Sequence, residues 1–168
     1  LITNGLADNQ PVVRDEICVI HNGIIVNHGS VWDKINKIRE LQIDTEIIAA
    51  IASVHIDEGA DLDKLPSRIL GLCKGVIACA LVFKNKGKLC LFSNNGSLYV
   101  GTKGQSIIFA SESFPLNKIG CDDVRQVKDA VFVDIPVSTL PMKISDREER
   151  KSDLIPALCF SITEEKLL

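Results

Sequence analysis

The apolar periodicity of this chain changes near Gly75, and that change constrains the fold more than any single motif. From Ser30 up to it the spacing is helical. Ser30 is placed to cap a helix with Val31, Ile35, Ile38 and Leu41 on one face. Asp44 or Thr45 starts a second helix, whose Ile47, Ile48, Ile51 and Val54 point to a core. Asp61 starts a third, with Leu62, Leu65, Ile69 and Leu72 on its inner face and Pro66 near its first turn. After Gly75, residues 76–83, 89–93, 98–100, 107–110 and 130–135 read as strands. Asn85-Lys86-Gly87, Asn94-Asn95-Gly96 and Lys103-Gly104 join them, and such short turns favour antiparallel hairpins. One earlier strand region, Val12 to Ile25, follows a loop from Thr3 to Pro11 rich in Gly, Asn and Asp. Grouped helices followed by grouped strands argue against a parallel, doubly wound sheet. The expectation is an α+β fold: two antiparallel sheets packed face to face and covered by helices. No internal repeat or low-complexity segment interrupts it.

The strongest chemical signal lies at the end of that early strand. The apolar run Ile17-Cys18-Val19-Ile20 leads into His21-Asn22-Gly23-Ile24-Ile25, and the strand is expected to break at Asn22-Gly23. It would deliver an amide side chain and a glycine N–H to one sheet end, where two donors can converge on an oxyanion. Preorganised donors of this kind are what a tetrahedral intermediate requires, and losing one raises the barrier by about 2.7–4 kcal/mol. Farther on, Asp44-Thr45-Glu46 opens a helix, and Asp44 can offer a carboxylate to a substrate ammonium. The bland alternative is an Asn-Gly turn and an ordinary Asp N-cap.

In this order the motifs resemble the glutaminase domain of class II (N-terminal-nucleophile) glutamine amidotransferases, the group containing glucosamine-6-phosphate synthase and asparagine synthetase. The stretch from His21 to His28 resembles the hexosephosphate aminotransferase branch most strongly. Thr3-Asn4-Gly5 is similar to the family's Thr-His-Gly, and Gln10-Pro11 to the Gln-Pro or His-Pro that precedes the His-Asn-Gly strand. Lys74-Gly75-Val76 through Leu81-Val82-Phe83, and Ile108-Phe109-Ala110-Ser111-Glu112, resemble later strands of the family's sheets. The resemblance covers residues 1 to about 135. It implies a four-layer αββα sandwich of the N-terminal-nucleophile hydrolase type. It further implies that Asn22 and Gly23 form the oxyanion hole, Asp44 binds the α-ammonium of glutamine, and Thr3 and Asn4 help seat the α-carboxylate. No metal and no organic cofactor is implied. Asn4 stands where the family has His, which weakens its assignment.

The same resemblance implies a cysteine nucleophile at the mature N-terminus, its own α-amine as base, and an arginine clamp for the α-carboxylate. Leu1-Ile2-Thr3 begins beyond the position expected for all of these. The domain is therefore expected to be incomplete at its N-terminus, and the chain as given is expected not to turn over glutamine. A catalytically inactive relative serving as an interaction or regulatory module is one alternative. Another N-terminal-nucleophile amidase is the second, and Asp44 discriminates against it because only an amino-acid substrate presents a free α-ammonium.

Composition narrows the partners. With 168 residues and 46% hydrophobic content, one domain with a sizeable core is expected. A net charge of -3 without like-charge blocks gives no nucleic-acid footprint and no membrane-surface patch. No apolar run approaches the roughly 18–20 residues needed to span a bilayer. Six cysteines, at 18, 73, 79, 90, 121 and 159, make no Cys-x-x-Cys, and no histidine pair has zinc spacing. Cys18, Cys79 and Cys90 fall inside apolar strand-like runs as small hydrophobes, and all six read as reduced, hence a cytoplasmic protein. Glutamine, and a C-terminal synthase domain or subunit receiving ammonia, are the implied partners; a homo-oligomer is compatible with them.

Residues 136–168 differ in texture. A Pro136 to Pro141 break leads into dense alternating charge and then an apolar end. They read as a linker or the start of a following domain, with a C-terminal extension packed on the core as the equal alternative. His21, His28 and His55 read as structural. Ser111-Glu112-Ser113 lacks the Gly-x-Ser-x-Gly elbow, and Gly101-Thr102-Lys103-Gly104 lacks a full phosphate loop.

Overall fold

The computed structural model describes residues 8–135 and the backbone of Ile162–Thr163. The first half contains strands β1 (Val12–Arg14) and β2 (Ile17–Ile25), then helices α1 (His28–Trp32), α2 (Glu46–Asp57) and α3 (Leu65–Leu72). Then come β3 (Gly75–Phe83), β4 (Lys88–Ser93), β5 (Tyr99–Lys103), β6 (Ser106–Ala110), α4 (Ser113–Lys118), β7 (Asp122–Gln126), β8 (Val131–Asp134) and β9 (Ile162–Thr163). One sheet has the order β1-β2-β3-β4-β8 and the other β7-β5-β6-β9, with every pairing antiparallel.

Strand alternation divides the core in two. On β3, Ile77, Cys79, Leu81 and Phe83 join Ile47, Ile48, Ile51, Leu65 and Ile69 of the helices. The alternate residues Ala78 and Ala80 join Leu89 and Leu91 of β4 against Leu98, Val100 and Phe109 of the second sheet. A period of two thus places helices on one face of the first sheet and the second sheet on the other. The short α4 packs against β5, β6 and β7. The layers run helix, sheet, sheet, helix, as expected. Fully burying each Ile or Leu at these positions contributes about 1.5–3 kcal/mol.

Several local expectations are corrected. The region Val12 to Ile25 is a hairpin, not one strand: Asp15 and Glu16 sit at φ 48° and 64°, the two positive values of a tight turn whose twist matches the strands. β2 does not break at Asn22-Gly23 but stays paired with β3 as far as Ile25↔Gly75. The helix expected over residues 30–41 is only α1, inside which Ser30 lies, and Ile38 is 80% exposed. The buried Glu46 carboxylate accepts the backbone N–H groups of Glu40 (3.0 Å) and Leu41 (2.8 Å), giving that segment its hydrogen bonds without a helix. Asn94-Asn95-Gly96 is not a hairpin turn, because β4 and β5 belong to different sheets. The Asn94 side chain bonds the backbone of Gly75 and Ile77, so this segment anchors the switch between sheets. The helix α4 and the polar strand β7 were not expected.

Candidate functional site

β2 carries the candidate oxyanion donors. Asn22 lies opposite Ala78, which packs between the sheets, so Asn22 projects towards the second sheet. It is nevertheless exposed, as are Ile24 (66%) and its cross-strand neighbour Val76 (45%). His21 projects the other way, opposite Cys79, and is buried against the helices.

Gly23 is required by its surroundings. Its φ is 151°, and an added Cβ would lie 1.9 Å from the Val76 carbonyl oxygen and 2.8 Å from His21 Nε2. No side chain fits there. The His21 ring fills the space beneath: Nε2 lies 3.1 Å from the Val76 oxygen, and Nδ1 3.4 Å from Thr45 Oγ1. A carbonyl only accepts, so Nε2 carries the proton and Nδ1 faces the Thr45 hydroxyl as an acceptor. Burial pushes the His21 pKa below its ordinary value, against the opposing pull of the Val76 carbonyl and the Asp44 charge.

The edge of β2 away from β3 is where the site opens. β1 covers Ile17 to Val19. Next along that edge, the Gln10 side chain brackets His21, donating from Nε2 to its carbonyl and accepting its N–H at Oε1, both at 2.6 Å. Two residues beyond Gly23, the Ile25 N–H donates to Asp44 Oδ2 at 2.8 Å. By strand alternation the Gly23 N–H faces this same edge, and neither the Gln10 nor the Asp44 side chain takes it. The result is a notch. Asp44 and the Gly23 donor stand one strand repeat apart, about 7 Å along the edge.

Asp44 is not the N-cap of α2, which begins at Glu46 after Thr45. Its side chain is committed to the end of β2 instead, and only one of its oxygens is used by Ile25. Asn22, Gly23 and Asp44 are thus brought to one end of the sheet; Thr3 and Asn4 lie outside the described residues. Sequence reasoning missed Gln10 and Thr45 as supports of this end. Gln10 had a signal only in its place before Pro11.

Cys18, Cys73, Cys79 and Cys90 offer no activated thiolate. Burial pushes the thiols of Cys73 and Cys90 up to about 11 and about 12, and raises those of Cys18 and Cys79. Cys18, Cys73, Cys79, Cys90 and Cys121 are all free. Among the described residues no group of His, Cys, Asp and Glu could hold a metal ion, and no helix is long and apolar enough to cross a membrane.

A family model described as a glutamine amidotransferase domain matches residues 2–118. This chain belongs to that family. Within it, the chain is similar to glutamine–fructose-6-phosphate aminotransferase (isomerizing) of Thermotoga maritima, 32% identical over 72% of the chain. The enzyme of the same name from Campylobacter jejuni is 30% identical over 86% of the chain. The chain spans 19% and 23% of the length of these two relatives. Among solved structures it is similar to glutamine phosphoribosylpyrophosphate amidotransferase from B. subtilis, with a TM-score of 0.65 and 20% identity. That match covers 79% of this chain and 31% of the other. The domain is a class II, N-terminal-nucleophile amidotransferase domain near glucosamine-6-phosphate synthase, and its two-sheet sandwich is the fold its resemblance implied.

Proposed function

We propose that this amidotransferase domain hydrolyses glutamine to glutamate and ammonia, and that a synthase domain or subunit of the natural protein consumes the ammonia. The observation that carries the reading is the notch in the β2 edge, with the Gly23 N–H between His21, bracketed by Gln10, and Ile25, whose N–H is bound by Asp44. A free amino acid whose α-ammonium pairs with the uncommitted Asp44 oxygen places its carboxamide, four bonds away, towards Gly23. The Gly23 N–H and the Asn22 amide then hold the developing oxyanion. Ile24 and Val76 offer apolar surface to the methylenes between. Thr3 and Asn4 take the α-carboxylate.

The attacking group is a cysteine at the mature N-terminus, as the resemblance implies; the raised pKa of the buried thiols argues against an internal substitute. Ammonia leaves as the thioester forms, and water then releases glutamate. The names of the relatives favour a sugar phosphate as the ammonia acceptor. Residues 1–135 form the glutaminase unit in this reading. The pairing of Ile162–Thr163 with β6 supports, for those two residues, contact with the second sheet.

The test is Asn22→Ala in the full-length natural protein. Losing one oxyanion donor should lower kcat/KM for glutamine by roughly 10²–10³-fold. Glutamine binding should change little, since this donor strengthens mainly in the transition state. Near-normal turnover in the variant would reduce Asn22 to a strand residue. A parent protein that binds glutamine without releasing ammonia would favour the inactive regulatory relative.

A further inference from the structure

We propose that Gln10 is a positioning residue for the oxyanion notch, its side chain standing in for the backbone strand partner that its own N–H, turned to Asn9, does not supply. The proposal rests on the reading of Gly23 as an oxyanion donor.

The register of the first hairpin sets up the argument. Val12 pairs with Val19, Val13 with Cys18 and Arg14 with Ile17, so Gln10 is the residue in register with His21. A continuing ladder would pair the backbone N–H and C=O of Gln10 with His21, but the Gln10 N–H is turned to Asn9 Oδ1 at 3.0 Å. The Gln10 amide supplies the same pair of groups from its side chain, one donor and one acceptor, each 2.6 Å from the His21 peptide. The next in-register position, opposite Gly23, would be Asp8. There the chain has left the sheet, and the Asp8 carboxylate accepts the Gln42 N–H at 2.7 Å. On this outer edge pairing therefore stops one step before Gly23, and the last peptide held from this side before the notch is the one that Gln10 holds. His21 is anchored by its ring as well, to Val76. Fixing its peptide fixes the plane of the peptides that follow, including the Asn22–Gly23 peptide that carries the donor. Without Gln10, His21 would expose an unpaired N–H and C=O at the sheet edge, and the donor two residues on could swing.

A misplacement of about 1 Å in a catalytic group can cost up to about 10²-fold in rate. Gln10→Leu, which keeps bulk and removes both bonds, should lower kcat by roughly 10–10²-fold while KM for glutamine, set at Asp44, stays near that of the parent. Gln10→Glu gives a sharper readout. The ionised carboxylate places two acceptors against one donor and one acceptor, whereas the protonated acid restores the original complement. Its kcat relative to the parent at the same pH should therefore climb as pH falls towards the ordinary glutamate range near about 4.3. A merely structural contact would move the melting temperature and leave that ratio flat. Should Gln10→Leu fail to fold, the Glu variant, nearly the same size and shape, remains decisive.

Both variants are compared with Asn22→Ala in the full-length protein. Loss of activity in Asn22→Ala together with unchanged kcat in Gln10→Leu, or a flat pH ratio in Gln10→Glu, overturns the role of Gln10 alone. Full activity in Asn22→Ala overturns the oxyanion reading on which it rests.

Discussion

Two carboxylates stand two residues apart at the start of α2, and they have opposite fates. Glu46 is 1% exposed and fully engaged. One oxygen accepts from Arg14 Nη1 at 2.7 Å, and the pair also takes the Glu40 and Leu41 N–H groups. Arg14 in turn lies over the Trp32 ring, 5.9 Å from its centroid. Asp44 is half-buried and receives a single N–H, that of Ile25, on one oxygen. A buried charge must be paired and hydrogen-bonded, and Glu46 meets that demand entirely from the fold. Asp44 keeps acceptor capacity at the open end of the sheet. The difference separates a carboxylate that holds the loop from the one proposed to take the substrate ammonium.

The largest expected effect is on the first. Glu46→Ala leaves Arg14 only the looser Asp15 (3.8 Å) and Glu40 (3.6 Å) carboxylates and frees two backbone donors, and breaking a buried pair from one side costs about 3–5 kcal/mol. For a domain of this size the melting temperature should drop by roughly 6–20 °C. Glutamine binding by the fraction that stays folded should be close to that of the parent. A variant that melts normally but loses glutamine would reverse the roles given to the two residues.

Asp44→Asn is the converse test. The amide oxygen can still accept the Ile25 N–H, so stability should fall by only about 1 kcal/mol, the difference between a charged and a neutral hydrogen bond. A desolvated ammonium that loses its charged partner forfeits more, about 2–5 kcal/mol of binding. A thermal melt beside a glutamine titration on the full-length variant separates the two. A large melting shift with unchanged glutamine affinity would make Asp44 a second structural carboxylate and leave the site without its substrate anchor.

This contrast could not be read from the sequence, where Asp44 and Glu46 look like two acidic residues at a helix start. The layers were legible because strand alternation on residues 76–83 and helical spacing on residues 46–57 each sort side chains by face. The Asn22-Gly23 and Asp44 positions were legible through their order along the chain. What escaped were features decided by distant partners. The Asp15-Glu16 turn contains no glycine, although both residues adopt positive φ. The spacing of Ile35, Ile38 and Leu41 mimics a helix face, yet the Glu46 carboxylate holds the backbone there. β7 is polar because four of its five residues are exposed, and α4 is a six-residue helix with Pro115 in its first turn. The bracket of Gln10 on His21 spans eleven positions and leaves no local pattern.

The smallest effect concerns His21, whose ring lies against Thr45, the residue between the two carboxylates, and whose pKa burial lowers. Its pKa in the folded protein is lowered, so the unfolded chain takes up a proton first as pH falls below about 6.5. Over that window the unfolded state binds more protons, and stability must rise with pH and fall with acid. Above the window both states are neutral and the residue contributes no pH dependence; below the folded pKa the loss stops growing. The effect stays modest because the Val76 carbonyl and the Asp44 charge oppose the burial. Melting curves between about pH 5 and 7.5 should therefore show a slope in the parent that flattens in His21→Gln, which cannot take up a proton in that range. In Asp44→Asn the opposing charge is gone, the His21 pKa should fall further, and the loss should reach to lower pH than in the parent. An equal slope in the parent and Asp44→Asn would mean that Asp44 does not act on the ring, and that the two carboxylates differ in packing alone.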